Sequence, residues 1–273
     1  MKRITTIILV VLLFEFILSS CDKTNGNAQD TTFNETSSLI STLNTAEAKR
    51  NYFFSACEKT MSLEQVDFKK NVEIKQITDI LAISNTIKTS QIYKKLDDSF
   101  TSCGSIITTS NDSIKNQQFY YSDNATYIND DTDKEKYAYD ILELNNWGNT
   151  VITSLNTEDI KEISCIMVEN GMKITIIGDI SSIKNETKNG IIEQYLDEYS
   201  DIKSYRLIVI VNNDGYIIEA NEYLTAISTH EIVGLGTIII NNTITTNLTI
   251  NNPGSDVNIV PFTDTENYET VTK

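Results

Sequence analysis

From Ile238 to Ile250 the sequence divides into a mostly apolar side and a mostly polar one, clearest over its second half. Ile238, Ile240, Asn242, Ile244, Thr246, Leu248 and Ile250 fall on one side, and Ile239, Asn241, Thr243, Thr245, Asn247 and Thr249 on the other. A period of two belongs to a β-strand, and an apolar side opposite a polar one belongs to an antiparallel sheet wetted on one face. Pro253 ends the run, because proline cannot donate to a strand ladder. Only two prolines occur in 273 residues, which suits long uninterrupted strands.

Earlier segments repeat this period. Val72 to Lys75 alternates, Thr86 to Tyr93 is threonine-rich, and Ser105–Thr109, Gln117–Tyr121 and Ala125–Ile128 follow between Asn, Asp and Ser turns. Ile163–Val168 and Met172–Ile177 flank Asn170-Gly171, a two-residue hairpin signal. Tyr205–Val211 and Tyr216–Ile227 flank Asn213-Asp214-Gly215. Helical spacing appears in three places. Ala46 to Leu63 carries Phe53, Cys57 and Met61 on one stripe, and Asp131 to Trp147 carries Tyr137, Ile141 and Leu144 at i, i+4 and i+7. Gly190 to Tyr199 reads as a short helical insert. Strands and helices do not alternate as they do in a doubly wound parallel sheet. The expected class is therefore α+β, with an antiparallel sheet and helices on one face. Residues 46–262 form one domain and 263–273 a polar, frayed tail.

The N-terminus says where such a domain works. Lys2 and Arg3 precede an apolar run from Ile4 to Leu18, interrupted by two threonines and Glu15, and Leu18-Ser19-Ser20-Cys21 follows. The run is short for a spanning helix and has the flanks of a signal peptide. These residues resemble a bacterial lipobox. The resemblance implies that residues 1–20 are removed and that Cys21 carries a diacylglyceryl group on the outer face of the cytoplasmic membrane. Two acyl chains anchor stably where one holds only marginally. Residues 21–45 are polar and read as a flexible tether of roughly 25–30 Å.

The formal charge is −16, and removing Lys2, Arg3 and Glu15 with the signal makes it one unit more negative. Such a surface repels polyanions, so nucleic acid is not an expected partner. It is also a poor match for anionic lipid headgroups over most of its extent. Hydrophobic residues reach 40%, enough for a real core. Once Cys21 is lipidated, three cysteines remain, Cys57, Cys103 and Cys165, with no C-x-x-C spacing; the expectation is free thiols in apolar surroundings, the alternative one disulfide and one free thiol.

Catalytic signals are weak. His230 is the only histidine, it sits near a strand end, and nothing marks a nucleophile elbow around it. No phosphate-binding glycine motif occurs, and Gly234-Leu235-Gly236 reads as a turn or bulge. Asn129, Asp131 and Asp133 have the spacing of a calcium loop, but Lys134 stands where that loop needs glycine and Asp140 where it needs glutamate. The segment reads as a solvated acidic turn, and no metal or cofactor is expected.

Taken in order, the lipobox, the tether, an N-terminal helix, a meander with Phe119-Tyr120-Tyr121 and Tyr127, a helix ending at Trp147 and long final hairpins resemble the LolA-like/LppX-like lipoproteins, and in particular an uncharacterised Gram-positive group of them. The resemblance implies a curved antiparallel sheet, a half-barrel, with helices on its concave face, and a lipid or other hydrophobic ligand between the two layers. Tyr137, Ile141, Leu144, Ile238, Ile240 and Ile244 would line that cleft. The competing expectation is a cell-envelope scaffold that binds no small molecule. A packed core accounts for the same residues.

Overall fold

The alternating stretch becomes the longest strand pair of the molecule. The structure, a computed structural model, describes residues 42–111, 113–130, 132–144, 155–186, 196, 199–232 and 236–271. These belong to one compact unit that begins at Phe33. The expected signal, the lipobox, residues 21–41, Asp131, Trp147 and Gly190 to Tyr195 lie outside the described residues.

Twelve described strands form one open sheet in the order β12-β6-β5-β4-β3-β2-β1-β11-β10-β9-β8-β7. β1 (Gln65–Ile77), β2 (Ala82–Lys95), β3 (Phe100–Ser110), β4 (Ser113–Ser122), β5 (Ala125–Asp130) and β6 (Lys134–Tyr137) make a first meander. β7 (Ile160–Val168), β8 (Gly171–Gly178), β9 (Ser200–Val211), β10 (Ile217–Ile232) and β11 (Gly236–Asn251) make a second. The two are joined where β11 lies antiparallel to β1, with Ile244 opposite Ile74. This long-range pairing seats the last long strand beside the first.

One face of the sheet is turned inward. On β11 the inward residues from Asn242 to Ile250 are all buried, in the alternation read from the sequence. Over this face, against β7 and β10, lies α1 (Ala46–Met61). Thr45 caps this helix, its hydroxyl accepting the Ala48 N–H at 3.0 Å. Glu47 in the first turn and Lys59 in the last suit the helix dipole. Tyr52, Phe53, Ala56, Cys57 and Thr60 form the buried face. Phe53 is fully buried, which stabilises by ~2–3 kcal/mol relative to exposure. The helix is pinned at both ends. Arg50 donates to the Ile160 carbonyl at 3.0 Å, and the Ile217 N–H donates to the Thr60 hydroxyl at 2.8 Å.

Three expectations are corrected. The helix expected over 131–147 is absent from the described part of that stretch, so the helical cover is sparser than expected. The Asp130 side chain accepts the N–H groups of Thr132 and Asp133, closing a turn, and β6 returns along β5 with Tyr137 opposite Thr126. The i, i+4, i+7 spacing arises by accident: Tyr137 ends a strand, and Glu143 has positive φ, which no helix continues. The turn between β7 and β8 is Glu169-Asn170, one residue earlier than expected. Gly171 opens β8 at φ 139°, where an added Cβ would lie 2.0 Å from the Val211 carbonyl oxygen. The C-terminal stretch is tied down. β12 (Glu269–Thr270) pairs in parallel with β6, and Tyr268, stacked on Phe262 and edge-on to Tyr127, is buried. A seven-residue helix, α2 (Ile180–Glu186), was not foreseen.

Candidate functional site

The inward face carries two apolar clusters. The larger joins α1 to β1, β8, β9, β10 and β11 through residues such as Phe53, Phe68, Ile174, Val209, Leu224 and Ile244. The smaller joins Phe119, Tyr121 and Leu144, with Phe100, Ile106 and Leu142 against them. Phe100 stacks on Tyr121 with centroids 4.2 Å apart and on Tyr93 at 5.4 Å. Gly104, inward on β3, is the hollow that Phe119 fills: a Cβ there would lie 2.8 Å from the Phe119 ring and 1.9 Å from the Ser90 carbonyl oxygen. Gln91 ties this half together, donating to the Ser102 hydroxyl at 3.1 Å and to the Leu144 carbonyl at 3.2 Å.

Where the clusters adjoin, a seam of residues is only partly buried: Ile87, packed against the larger cluster, and Thr89 on β2, and Ile106, packed against the smaller, and Thr108 on β3. Thr89 stands opposite Ile106 on one side and Lys70 on the other, so one row across three strands leads from an apolar side chain to a charged one.

Lys70 interrupts the inward series Val66, Phe68, Val72, Ile74 on β1. Glu222 similarly interrupts Ala220, Leu224 and Ala226 on β10. Each residue is partly exposed as a whole, while its charged end lies deep between the layers. Tyr205, inward on β9 and 3% exposed, donates its hydroxyl to Glu222 at 2.8 Å. Glu222 is opposite Thr246, which in turn is opposite Val72. Burial lowers the Lys70 pKa to about 8 against the pull of the Glu222 charge. Burial also raises the Glu222 carboxyl above its ordinary value, although Tyr205 and Lys70 favour the ionised form. The Tyr205 phenol is driven well up, first by burial and then by Glu222. Neither charge at this depth adds to stability as a packed apolar residue would.

The residues expected to line a cleft are divided by the structure. Leu144 lies in the smaller cluster and Ile244 in the larger. Ile141, half-buried in a turn, donates its N–H to the Thr126 hydroxyl at 3.3 Å. Tyr137 is inward on β6 and donates to Glu135 at 2.8 Å, with its pKa raised to about 12 by burial and that carboxylate. Ile238 and Ile240 sit toward the hairpin end of β11, opposite His230 and Ser228, and are partly exposed. Lys70, Glu222 and Tyr205 were missed, yet a lysine and a glutamate at inward positions of an alternating strand are a legible signal.

The other motifs resolve simply. His230 lies within β10 with Tyr199 edge-on at 5.4 Å. The Asp130 carboxyl is held below its usual range by the Asp133 and Thr132 N–H groups that form the turn. Cys57, Cys103 and Cys165 are free thiols, each pushed up by burial and so poorly nucleophilic. Among the described residues no three His, Cys, Asp or Glu side chains converge as a metal site, and no helix is long and apolar enough to cross a membrane.

No protein-family model matches this sequence, and no curated protein matches it either. Among solved structures, LprF from Mycobacterium bovis is similar over 79% of this chain and 97% of its own, at 9% identity and a TM-score of 0.43. The Mycobacterium tuberculosis lipoprotein LppX covers 79% of this chain and 100% of its own, at 12% identity and a TM-score of 0.40. A porin-like protein from Bacteroides uniformis overlaps at a TM-score of 0.21, with 12% identity over 70% of this chain and 98% of its own. At these scores the architecture rests on the strand pairing described above.

Proposed function

We propose that this chain is an extracytoplasmic lipoprotein, anchored through Cys21, that binds a lipid or another hydrophobic ligand between its sheet and helical layer without transforming it. In this reading residues 1–20 are a signal peptide with Leu18, Ser19 and Ser20 in the lipobox, 21–45 a tether, and 46–262 a LolA-like half-barrel on the outer face of the membrane. The observation that carries it is the seam. Two closed clusters flank partly exposed inward Ile87 and Ile106, and the row through Thr89 ends on Lys70. An apolar chain lying along the seam would remove that surface from water, and Lys70 would face its polar end.

Mass spectrometry of lipid recovered with the purified full chain tests the ligand. A defined lipid species is expected with the native protein and lost from Ile106→Arg. Recovery of none from either would favour the scaffold role. Acylation is tested separately: labelled palmitate enters the native chain in its host and not Cys21→Ser.

A further inference from the structure

The two ends of the sheet differ. At one end are the start of β1, the β9–β10 turn and the C-terminus of α1, where Lys59 donates to the Asp214 carbonyl. At the other are the β1–β2 turn, the β3–β4 turn and the far ends of β10 and β11. The N-terminal half of α1 lies toward this second end, because Arg50 bonds Ile160, the first residue of β7, while Thr60 bonds Ile217 at the first. The helix therefore begins toward the second end and finishes at the first.

Apolar side chains crowd this same end. Ile80 in the β1–β2 turn is 91% exposed, with Ile77 and Leu81 beside it at 50% and 53%. Asp79 is the acid of that turn. Ile114 is exposed just after the β3–β4 turn, and Ser84 on β2 bonds Asn111 across to that turn at 3.1 Å. Ile239 is exposed on β11, two residues beyond the Ile77–Asn241 pair.

Cations gather there too. A cleft of about 450 Å³ opens where β8 ends at Gly178, lined by Lys161, Lys203 and Arg206 together with Tyr205 and Tyr223. Arg206 stacks on Tyr223 at 4.6 Å, and Lys203 also pairs with Asp201. The lining of this cleft holds three cations and no carboxylate, with Asp201 paired to Lys203 and Asp179 near Lys161 at its rim.

We propose that this end is a membrane-docking surface: the exposed isoleucines and leucine enter the headgroup boundary of an anionic bilayer, and the Lys161–Lys203–Arg206 cleft takes a lipid phosphate. The proposal rests on anchoring at Cys21, which keeps the domain within a tether's length of the membrane. Two separate observations favour a bilayer as occupant: the apolar side chains that the turns expose and the basic residues that line the cleft. Each basic residue near an anionic surface favours docking roughly fivefold, and salt weakens that share.

The test is depth quenching of the full lipidated chain on vesicles of phosphatidylcholine and phosphatidylglycerol with brominated acyl chains. Ile80→Trp reports the docking end and Asp214→Trp the opposite end, each read above the Trp147 background of the native chain. Strong quenching is expected for Ile80→Trp and none for Asp214→Trp. In the Ile80→Trp chain, adding Lys203→Gln or Arg206→Gln should lower the docking equilibrium roughly fivefold. Equal quenching at both ends, or no change on neutralising the cleft, overturns the proposal. If the chain carries no acyl mass at Cys21 yet Ile80→Trp is still quenched on preformed vesicles, docking stands and the anchor alone fails.

Discussion

The half of the sheet under α1 and the half built from β2 to β6 solve the same problem differently. Under α1 the inward face is closed: Phe53, Ile174, Val209 and Ile244 are almost wholly buried, Lys70 and Glu222 are its charged interruptions, and the helix is bonded at both ends. In the other half a small aromatic cluster closes one region, a turn bonded through Thr126 and Gln91 covers it, and Ile87, Thr89, Ile106 and Thr108 stay partly open. A helix shields a whole stripe of a sheet, whereas a turn shields only what it touches. Inward side chains therefore stay partly exposed where helical cover stops, and Lys70 stands at that border.

Substitutions test this contrast. Phe53→Ala should have the largest effect, about 3–5 kcal/mol of unfolding free energy by denaturant titration, because it leaves a cavity between helix and sheet. A loss below ~1 kcal/mol would mean that α1 does not seal its half.

The next effect is a pH dependence. The folded pKa of Lys70 is lowered to about 8, below its ordinary unfolded value, so the folded state gives up this proton first. This group's contribution is unfavourable below about pH 8 and is relieved as pH rises from there toward the unfolded value. Stability measured at pH 8 and pH 10 should therefore rise by up to ~2–3 kcal/mol from this group. Lys70→Met should lose that rise. The tyrosine and cysteine ionisations common to both proteins drop out of the comparison, and equal slopes would place the amine in water.

Gln91→Leu removes two bonds in the thinner half and leaves the Leu144 carbonyl without that donor, a cost of about 1–2 kcal/mol. Amide exchange should speed up around residues 138–144 and stay unchanged in α1. Smallest of all, Glu64→Gln breaks an exposed pair with Lys95 and should change stability by less than ~0.5 kcal/mol.

Much of the sheet was legible because burial follows alternation. β11, the β9–β10 hairpin and α1 could all be read from residue order. The β5–β6 region could not, because three apolar residues at helical spacing are equally well placed by one short strand and two turns. Asn170-Gly171 pointed to the right hairpin but the wrong pair of turn residues, since the crowding at Gly171 comes from Val211, forty residues away in sequence. The β12 pairing was hidden because two exposed polar residues carry no period. Of the site, the alternation showed which positions face inward. That a lysine and a glutamate on non-adjacent strands would share one interior required the β1–β11–β10 register.

The most direct measurement is the titration of the full chain with a fluorescent fatty-acyl probe, followed by emission. The native protein and Gln91→Leu, which leaves the seam intact, should bind and shift the probe to shorter wavelength. Ile106→Arg, with a charge set into the seam, should not. Equal binding by Ile106→Arg, with the fold retained, would contradict the account.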